Sequence, residues 1–430
     1  MTPKHSRALT WLLIALVAAC STPSATPTPS PSATPVPTVA LTPPPSLDGT
    51  PSLATPDAPP TASAPVSTPR PTLPTGPIAD ALASELDRTL RDQLALHRIP
   101  GMTAEIIFPD GSRWSGATGF ADLGRELAAE TDTTFVTGSI TKTFVTAAIM
   151  QLHEEGVLSI DEPLADWLPD YPNAENITLR QLLSHGSGVY NYFLHPEYNL
   201  RVFNEPDHHW TPQEILDDFV LEPKFAPGTG YHYSNTNFVL LGMVLEEATG
   251  HSLGDVFQDR LFGPVGLDDT YCQCAGPPPP GSARGYLVRQ TGPVGLDDGT
   301  DYRPTLSAAT VAFGAGDIVS TAADLADWVR TVYGGHLLDA ESLAAMTDYQ
   351  SSTYSGGTYG LGTRTRVFES ARMFGHTGSL RGYAAAMWHF PETDLTIVVV
   401  TNRGRIEANP IVDAIAAIAL PIAEAYKSSN

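Results

Sequence analysis

The sequence predicts a mixed α/β fold of the α+β type, in which an antiparallel β-sheet is flanked by N- and C-terminal helices and joined to a mostly helical subdomain. Two observations support this. Hairpin patterns stand near both ends of the globular part, and helical periodicity dominates the region between them. A chain of 430 residues with 42% hydrophobic residues can also bury a substantial core.

The first residues resemble an export signal. Residues 1–20 join basic residues to an apolar run that is too short to span a bilayer, and small residues stand directly before Cys20, as in a bacterial lipobox. We therefore expect an exported protein that a lipidated Cys20 anchors to the outer face of a bacterial membrane, at the cell surface or in the periplasm. The alternative is an ordinary secretory signal with a cysteine there by accident.

Composition separates a linker from a globular domain. Residues 21–76 are almost entirely serine, threonine, proline and alanine, which predicts a disordered, extended linker. The domain is then predicted over residues 77–427. A formal net charge of −23 argues against binding to nucleic acid, and it gives no general attraction to anionic lipid. Membrane contact is therefore expected only through the N-terminal lipid.

The domain is predicted to begin and end with regular elements. Asp80 is the expected N-cap of a helix over 80–98, and strands over 102–108 and 113–120 follow as a hairpin. A second hairpin is predicted from strands over 383–390 and 395–401, before a last helix over 409–427. Further helices are predicted between them over 139–156, 178–184, 211–220, 236–249, 252–261 and 321–333.

The segment Ser139-Ile140-Thr141-Lys142 is the only Ser-x-x-Lys in the chain, which has four lysines in all. On a helix, residues three apart share a face, so the Lys142 amine would lie over the Ser139 hydroxyl and could take its proton. The simpler alternative is that Ser139 only caps the helix. A lysine in the first turn of an otherwise apolar helix argues against that alternative, because burying an unpaired amine is costly.

Two weaker motifs supply possible partners. Tyr233 could act as a general base if a nearby amine favoured its phenolate, and Asn235 could hold a substrate amide, although packing of the ring and helix capping explain the pair equally well. The segment 375–379, Gly-His-Thr-Gly-Ser, is predicted on an edge or inner strand. Its glycines would let a ligand approach the backbone closely, but the segment could equally be a surface turn without a binding role.

In order and rough spacing, the three motifs resemble those of the serine β-lactamases and penicillin-binding proteins. The Tyr-x-Asn form is typical of the class C branch, and histidine in the third motif is similar to that of the secreted actinomycete D-alanyl-D-alanine carboxypeptidase/transpeptidases. Segments 183–188, 233–238 and 360–364 add to the resemblance, which covers about residues 78–427.

The resemblance implies a role for each site residue. Ser139 would be the nucleophile, Lys142 and Tyr233 would share its deprotonation, and the backbone N–H groups of Ser139 and Ser379 would form the oxyanion hole. The substrate-binding residues would be Asn235, Arg364, His376, Thr377 and Gly378. Because His376 is only partly charged near pH 7, Arg364 would supply the permanent charge for a substrate carboxylate. An exposed strand charge is the alternative for Arg364.

The resemblance implies a serine hydrolase that forms an acyl-enzyme. The expected reaction is D-alanyl-D-alanine carboxypeptidase activity on peptidoglycan stem peptides, with β-lactams as acylating inhibitors. The alternatives are an esterase, a D-amino-acid amidase, a weak class C-type β-lactamase, or a catalytically idle surface-binding lipoprotein. No cofactor and no metal are expected. Cys272 and Cys274 lack a second cysteine pair for a zinc site, and a local, structural disulfide is the more plausible pairing.

Overall fold

The computed structural model describes residues 78–287, 301–348, 351–354 and 357–429. The predicted signal at 1–20, the lipidation site Cys20 and the linker over 21–76 lie outside the described residues and remain predictions. The described residues cover most of the domain that the sequence predicts over 77–427.

One nine-stranded antiparallel sheet dominates the domain, in the order β3-β2-β1-β14-β13-β12-β11-β10-β9. Two smaller sheets have the orders β4-β8-β5 and β6-β7. The strands are β1 Gly101–Ile107, β2 Arg113–Asp122, β3 Leu127–Ala128, β4 Phe135–Val136, β5 Tyr271–Cys272, β6 Gly285–Tyr286, β7 Asp301–Tyr302, β8 Ile318–Ser320, β9 Ser351–Tyr354, β10 Gly357–Tyr359, β11 Arg364–Phe368, β12 Ala371–Leu380, β13 Tyr383–Phe390 and β14 Leu395–Thr401.

Helices precede, follow and interrupt the sheet. They are α1 Asp80–His97, α2 Thr141–Glu154, α3 Leu179–Leu183, α4 Tyr198–Asn204, α5 Pro212–Phe219, α6 Thr236–Thr249, α7 Leu253–Phe257, α8 Gly263–Val265, α9 Leu306–Thr310, α10 Ala322–Tyr333, α11 Ala340–Thr347 and α12 Asn409–Lys427. The predicted fold class is confirmed: an antiparallel sheet, terminal helices and a mostly helical middle.

The two ends of the domain meet in the centre of the sheet. β1 pairs with β14 from Met102 opposite Thr401 to Ile107 opposite Thr396. This pairing places both predicted hairpins side by side in one sheet. The prediction that Asp80 caps α1 is wrong, because Ala79 occupies the N-cap position and Asp80 is the first helical residue. Its carboxylate still lies in the first turn, where the helix dipole favours negative charge.

Each face of the sheet has its own hydrophobic core. Alternation along β14 sends Ile397 and Val399 to a core shared with α1 and α12, whereas Val398 and Val400 face the core shared with the helical middle. α12 is long and apolar enough to cross a membrane. Its buried face packs in the first of these cores, which accounts for that composition without a membrane.

Candidate active site

Ser139 lies where the helical middle meets the sheet. It occupies a single 3-10 turn, Gly138–Ile140, that leads directly into α2, rather than the start of the α-helix predicted from 139. The turn rests on the face of β12 at Gly378, where an added Cβ would lie 1.7 Å from the Thr137 carbonyl oxygen. Only glycine at 378 therefore lets the turn that carries Ser139 pack against the sheet.

Lys142 is fully buried and has three polar neighbours. Its Nζ lies 3.1 Å from Ser139 Oγ, 2.8 Å from Asn235 Oδ1 and 2.7 Å from the carbonyl oxygen of Ala315. The structure thus brings together the serine and lysine that sequence spacing paired. Ser139 makes no side-chain capping bond, so the capping interpretation of this serine does not hold.

The surroundings of Lys142 favour the neutral amine. Burial is the main cause of a pKa well below the usual lysine value, and the positive charge of Arg364 lowers the pKa further, whereas Asp317 raises it. A neutral amine has two N–H groups and one lone pair. The Asn235 and Ala315 oxygens can only accept, so the lone pair is left for the Ser139 hydroxyl.

Tyr233 lies beside Lys142, with its ring centroid 5.1 Å from Lys142 Nζ. Its hydroxyl makes no well-aligned hydrogen bond within the described part of the chain, but Ser139 and Arg364 lie close enough to lower its pKa. Burial outweighs both and raises the pKa of Tyr233 above the usual value. The sequence-based expectation of a favoured phenolate is therefore wrong, and Tyr233 is a protonated phenol.

Asn235 is held in one orientation by Asn191. Asn191 Oδ1 accepts hydrogen bonds from the backbone N–H and from the side-chain Nδ2 of Asn235, each at 3.2 Å. This arrangement turns Asn235 Oδ1 toward Lys142. Asn235 occupies the N-cap position of α6, as the capping interpretation expects, but its side chain makes no capping bond. Part of the Asn235 amide is thus committed to Lys142, beside the place where a substrate amide would bind.

β12 carries the third motif as an inner strand with a partly open edge. On one side it pairs with β13 from Phe374 to Leu380. On the other side, β11 pairs with β12 only from Ala371 to Gly375, which lies opposite Arg364. Among the described strands, none pairs with 376–380 on that side. An extended substrate could therefore add to this edge through backbone hydrogen bonds, next to Thr377 and Gly378.

His376 is buried and uncharged. Its Nδ1 donates to the Thr377 carbonyl oxygen at 2.6 Å, and its Nε2 accepts from the Tyr359 hydroxyl at 3.1 Å. Burial lowers its pKa well below the usual histidine value, and the charges of Arg364 and Lys142 add to this effect. The partial charge expected for His376 near pH 7 is absent, so Arg364, 5.7 Å from the Tyr233 ring centroid, is the permanent positive charge.

Ser139 and Ser379 lie on facing segments, as an oxyanion hole built from their N–H groups requires. An added Cβ at Gly138 would lie 3.0 Å from the Ser379 nitrogen, and one at Gly378 would lie 3.3 Å from the Ser139 nitrogen. Backbone donors that flank a nucleophile in this way can stabilise the negative charge that develops during acyl transfer.

Comparison with known proteins agrees with this geometry. The Beta-lactamase family profile matches residues 86–420, which is more than half of the chain. The chain belongs to the Beta-lactamase family. The predicted resemblance to serine β-lactamases and penicillin-binding proteins is confirmed by this match and by the relatives below.

The β-lactamase-family chain is similar to proteins with different activities. It is 27% identical to penicillin-binding protein 4* of Bacillus subtilis over 66% of this chain, and 28% identical to a D-aminopeptidase of Cereibacter sphaeroides over 74% of it. The alignments span only 64% and 59% of those relatives. The solved structure of the D-amino acid amidase from Ochrobactrum anthropi SV3 matches with 28% identity and a TM-score of 0.69, covering 81% of this chain and 99% of that one.

Two cavities of this β-lactamase-family domain are relevant to its substrate. The larger, about 1320 Å³, lies in the helical middle and includes none of the proposed catalytic side chains. The smaller, about 360 Å³, reaches Ser379 and is lined by the apolar side chains of Phe193 and Phe203 together with Arg381 and Arg405. No aspartate or glutamate is among the described residues that line it.

Sequence reasoning missed several groups around Lys142. The carbonyl of Ala315 has no sequence signal, because any residue supplies a carbonyl. Asn191 follows the segment 183–188 but belongs to no motif that spacing alone reveals. His185, within that segment, is buried, and its Nδ1 lies 3.2 Å from both the Ser234 N–H and the Asn237 side-chain nitrogen. His185 thus holds the backbone next to Tyr233 in place.

Cys272 and Cys274 form a disulfide in the structure. Both sulfurs are therefore used in a covalent bond and offer no thiolate ligand while the bridge is intact. Cys272 belongs to β5, which pairs with β8, so the bridge lies directly beside the segment that carries Ala315 and Asp317.

Proposed function

We propose that this protein is a serine hydrolase that works through an acyl-enzyme on Ser139, and that its reaction is the removal of the terminal D-alanine from peptidoglycan stem peptides. The observation that carries the carboxypeptidase assignment is the permanent positive charge of Arg364 beside Tyr233, next to a histidine that is neutral. A substrate with a terminal carboxylate would find its counter-ion there.

In the acylation step, Lys142 is the general base. Its lone pair takes the Ser139 proton while Oγ attacks the peptide carbonyl between the two D-alanines, and the N–H groups of Ser139 and Ser379 stabilise the oxyanion. Tyr233, kept protonated by burial, donates its proton to the leaving nitrogen as the C–N bond breaks. The Lys142 ammonium then restores the Tyr233 proton.

In the deacylation step, water replaces the leaving amine. Lys142 is neutral again, so it can take a proton from the attacking water, and it returns that proton to Ser139 Oγ as the ester bond breaks. The sum is hydrolysis of one amide bond with every side chain returned to its first state. A β-lactam carbonyl would acylate Ser139 by the same first step, so β-lactams are expected to be covalent inhibitors.

The substrate would lie along the open edge of β12. Arg364 stands opposite Gly375, whereas the 360 Å³ pocket begins at Ser379, about 13 Å further along the strand at the usual rise per residue. The leaving D-alanine carboxylate would then lie at Arg364, and the acyl part of the peptide would extend into the pocket. Arg381 and Arg405 at the pocket suit an acyl part with an anionic or uncharged end.

The activities of the relatives suggest a second candidate, hydrolysis of a D-amino-acid amide or an N-terminal D-residue. Such substrates carry a free ammonium group on the acyl side of the scissile bond. A carboxylate would be needed there to pair with it, and the described lining of the pocket holds two arginines instead. The charges around the site therefore favour an N-acylated peptide over a free D-amino-acid amide.

Three substrates separate these candidates. D-Alanine release from diacetyl-L-Lys-D-Ala-D-Ala is compared with cleavage of the same peptide as its C-terminal amide and with hydrolysis of D-phenylalanine amide. We expect the free carboxylate to be preferred over both amides. Preference for D-phenylalanine amide would overturn the carboxypeptidase assignment in favour of an amidase.

The Arg364→Ala variant tests the carboxylate site directly. Loss of this charge also raises the pKa of Lys142, which lowers the reaction rate with every substrate at neutral pH. A nitrophenyl ester without a carboxylate is therefore the reference substrate. We expect kcat/KM for the peptide to fall about 10- to 100-fold more than that for the ester, the size of a lost hydrogen bond to a charged group. Arg366→Ala is the matched control, because Arg366 pairs with Asp413 on α12.

We also propose that the protein works outside the cytoplasm, held at the membrane through Cys20. Peptidoglycan lies outside the cytoplasmic membrane, and the predicted export signal and linker suit a domain that reaches it. This location remains a proposal that rests on the sequence alone.

A further inference from the structure

Asp317, Cys272 and Cys274 form a group of side chains near Lys142 that the acyl-transfer steps do not use. Asp317 is fully buried, and its Oδ1 has no hydrogen-bond partner among the described residues. The sulfur atoms of Cys272 and Cys274 and one carboxylate oxygen of Asp317 all lie within 4.8 Å of one another. A buried carboxylate with an unpaired oxygen costs stability, so its presence at this position points to a role other than stability.

Asp317 fixes the turn that presents a carbonyl to Lys142. Its Oδ2 accepts a hydrogen bond from the Gly314 N–H at 2.8 Å, and Gly314 adopts a positive φ of 63°. The next residue, Ala315, supplies the carbonyl oxygen that lies 2.7 Å from Lys142 Nζ. The side chain of Asp317 thus determines where this acceptor stands, and through it the direction of the Lys142 lone pair.

The disulfide loop holds the same turn from the other side. Gln273, between the two cysteines, donates its backbone N–H to the Asp317 carbonyl oxygen at 2.7 Å. Cys272 is also fixed by its pairing with Ile318. The bridge therefore restrains the backbone of Asp317, while its carboxylate restrains Gly314.

Asp317 also acts on Lys142 through charge. The groups that face Lys142 are Arg364, Asp317, Tyr233 and two histidines, His185 and His376, whose pKa values burial lowers so far that both are neutral. The Arg364 charge lowers the pKa of Lys142, and the Asp317 charge raises it. Burial raises the pKa of Asp317 itself to about 7, against the opposing effect of its backbone hydrogen bonds and of Lys142.

We propose that Asp317 and the Cys272–Cys274 disulfide form a clamp that positions Lys142, and that reduction of this disulfide slows acylation of Ser139. The clamp rests on the proposed function, because Lys142 matters only if Ser139 is the nucleophile. Reduction by a dithiol transfers two electrons and two protons to the bridge, giving two thiols, while the dithiol becomes a cyclic disulfide. Both cysteines are partly exposed, so a small dithiol can reach them.

The first test measures acylation of the full chain by a fluorescent penicillin before and after treatment with dithiothreitol. We expect the acylation rate to fall about tenfold on reduction and to recover on reoxidation. This is less than the roughly 10²- to 10⁴-fold that a positioned base contributes, because reduction displaces Lys142 without removing it. The Cys272→Ser/Cys274→Ser double variant should have the slow rate from the start and should not respond to the dithiol. It retains Cys20, so it controls for any effect of the dithiol outside the bridge.

The second test replaces Asp317 by Asn, which keeps an acceptor for the Gly314 N–H and removes the charge. Without that charge the pKa of Lys142 falls, so the neutral base persists to lower pH and the acid limb of the pH–rate profile shifts to lower pH. Asp324→Asn is the matched control, because Asp324 is a partly buried acid on α10 bound to Thr270 and should leave the profile unchanged.

The outcomes separate the clamp from the proposed function. An unchanged acylation rate after complete reduction, confirmed by counting thiols, would overturn the clamp. An Asp317→Asn profile that superimposes on that of the unmodified protein would overturn the effect of the Asp317 charge on Lys142. If Asp317→Asn does not fold, as judged by circular dichroism, the double cysteine variant decides. No labelling of Ser139 in the unmodified protein would instead overturn the proposed function.

Discussion

Lys142 illustrates how a single side chain obtains its reactivity from its surroundings. An amine in water is protonated at neutral pH and is no base. Burial and the charge of Arg364 move the pKa of Lys142 downward, while the Asn235 and Ala315 oxygens hold its two N–H groups. Removal of the amine should therefore remove the base without opening the fold, because the α2 backbone is retained.

The first prediction is that Lys142→Ala lowers the rate of Ser139 acylation by a fluorescent penicillin by about 10²- to 10⁴-fold, the usual contribution of a positioned acid–base group. The measurement is labelling over time, with mass spectrometry to locate the label. Lys224→Ala is the control, since Lys224 is exposed and lies over the ring of Tyr190. Labelling of Lys142→Ala at the unmodified rate would exclude Lys142 as the base.

At the residue scale, the sequence predicted residues that the structure brings together, but it did not predict their charges. Spacing was enough to pair Ser139 with Lys142, because residues three apart on a helical turn lie next to each other on one face. The protonation states of Tyr233 and His376 depend on burial and on Arg364, which comes from a distant strand. No local pattern reports either influence, so the expected phenolate and the expected histidine charge were both wrong.

At the scale of elements, β12 links the proposed nucleophile to the proposed substrate site. The 3-10 turn that carries Ser139 packs on the face of this strand, and the free edge next to it is available for an extended peptide. The strand can do both only because Gly378 has no side chain. Sheet face and sheet edge thus meet at one residue.

The second prediction concerns this contact. Gly378→Ala would place a Cβ against the Thr137 backbone, so the turn must move away from the sheet, at a cost of about 1–3 kcal/mol. We expect penicillin labelling to fall by at least about tenfold together with a lower unfolding temperature. Gly254→Ala in α7 is the control, because its nearest neighbour would be 3.9 Å away. Unimpaired labelling in Gly378→Ala would contradict the described packing.

Elements with strong local signals were predicted well. β13, β14 and α12 begin and end at the predicted residues, since period-two alternation, turn residues and a helical stripe all stand in the sequence. The strands β3 to β10 have two to four residues each, too few for alternation to show. The helices α4, α9 and α11 are also short, and the sequence pattern did not separate them from loops.

At the scale of the whole molecule, the sequence predicts an export signal, a linker and one catalytic domain. Two hydrophobic cores, one on each face of the main sheet, hold the domain together. The net charge of −23 gives no general attraction to anionic lipid, so we propose that attachment to a membrane depends on the N-terminus.

The third prediction is that Cys20→Ala moves the protein from the membrane fraction to the soluble fraction of a bacterial host. Loss of the acyl chains removes the only expected anchor, whereas penicillin labelling of Ser139 should persist. The measurement is fractionation with detergent phase partitioning. The Cys272→Ser/Cys274→Ser variant, judged by fractionation alone, is the control for loss of cysteines elsewhere. Membrane association that persists in Cys20→Ala would contradict lipid anchoring.

The pairing of β1 with β14 has a consequence for how the protein reaches its working state. The first strand finds its partner nearly 300 residues later, so the central ladder cannot close until the last strand has left the ribosome. Contacts of such long sequence separation make closure slow. A chain that stays open during synthesis is well suited to passing through a translocation channel and completing its sheet on the far side.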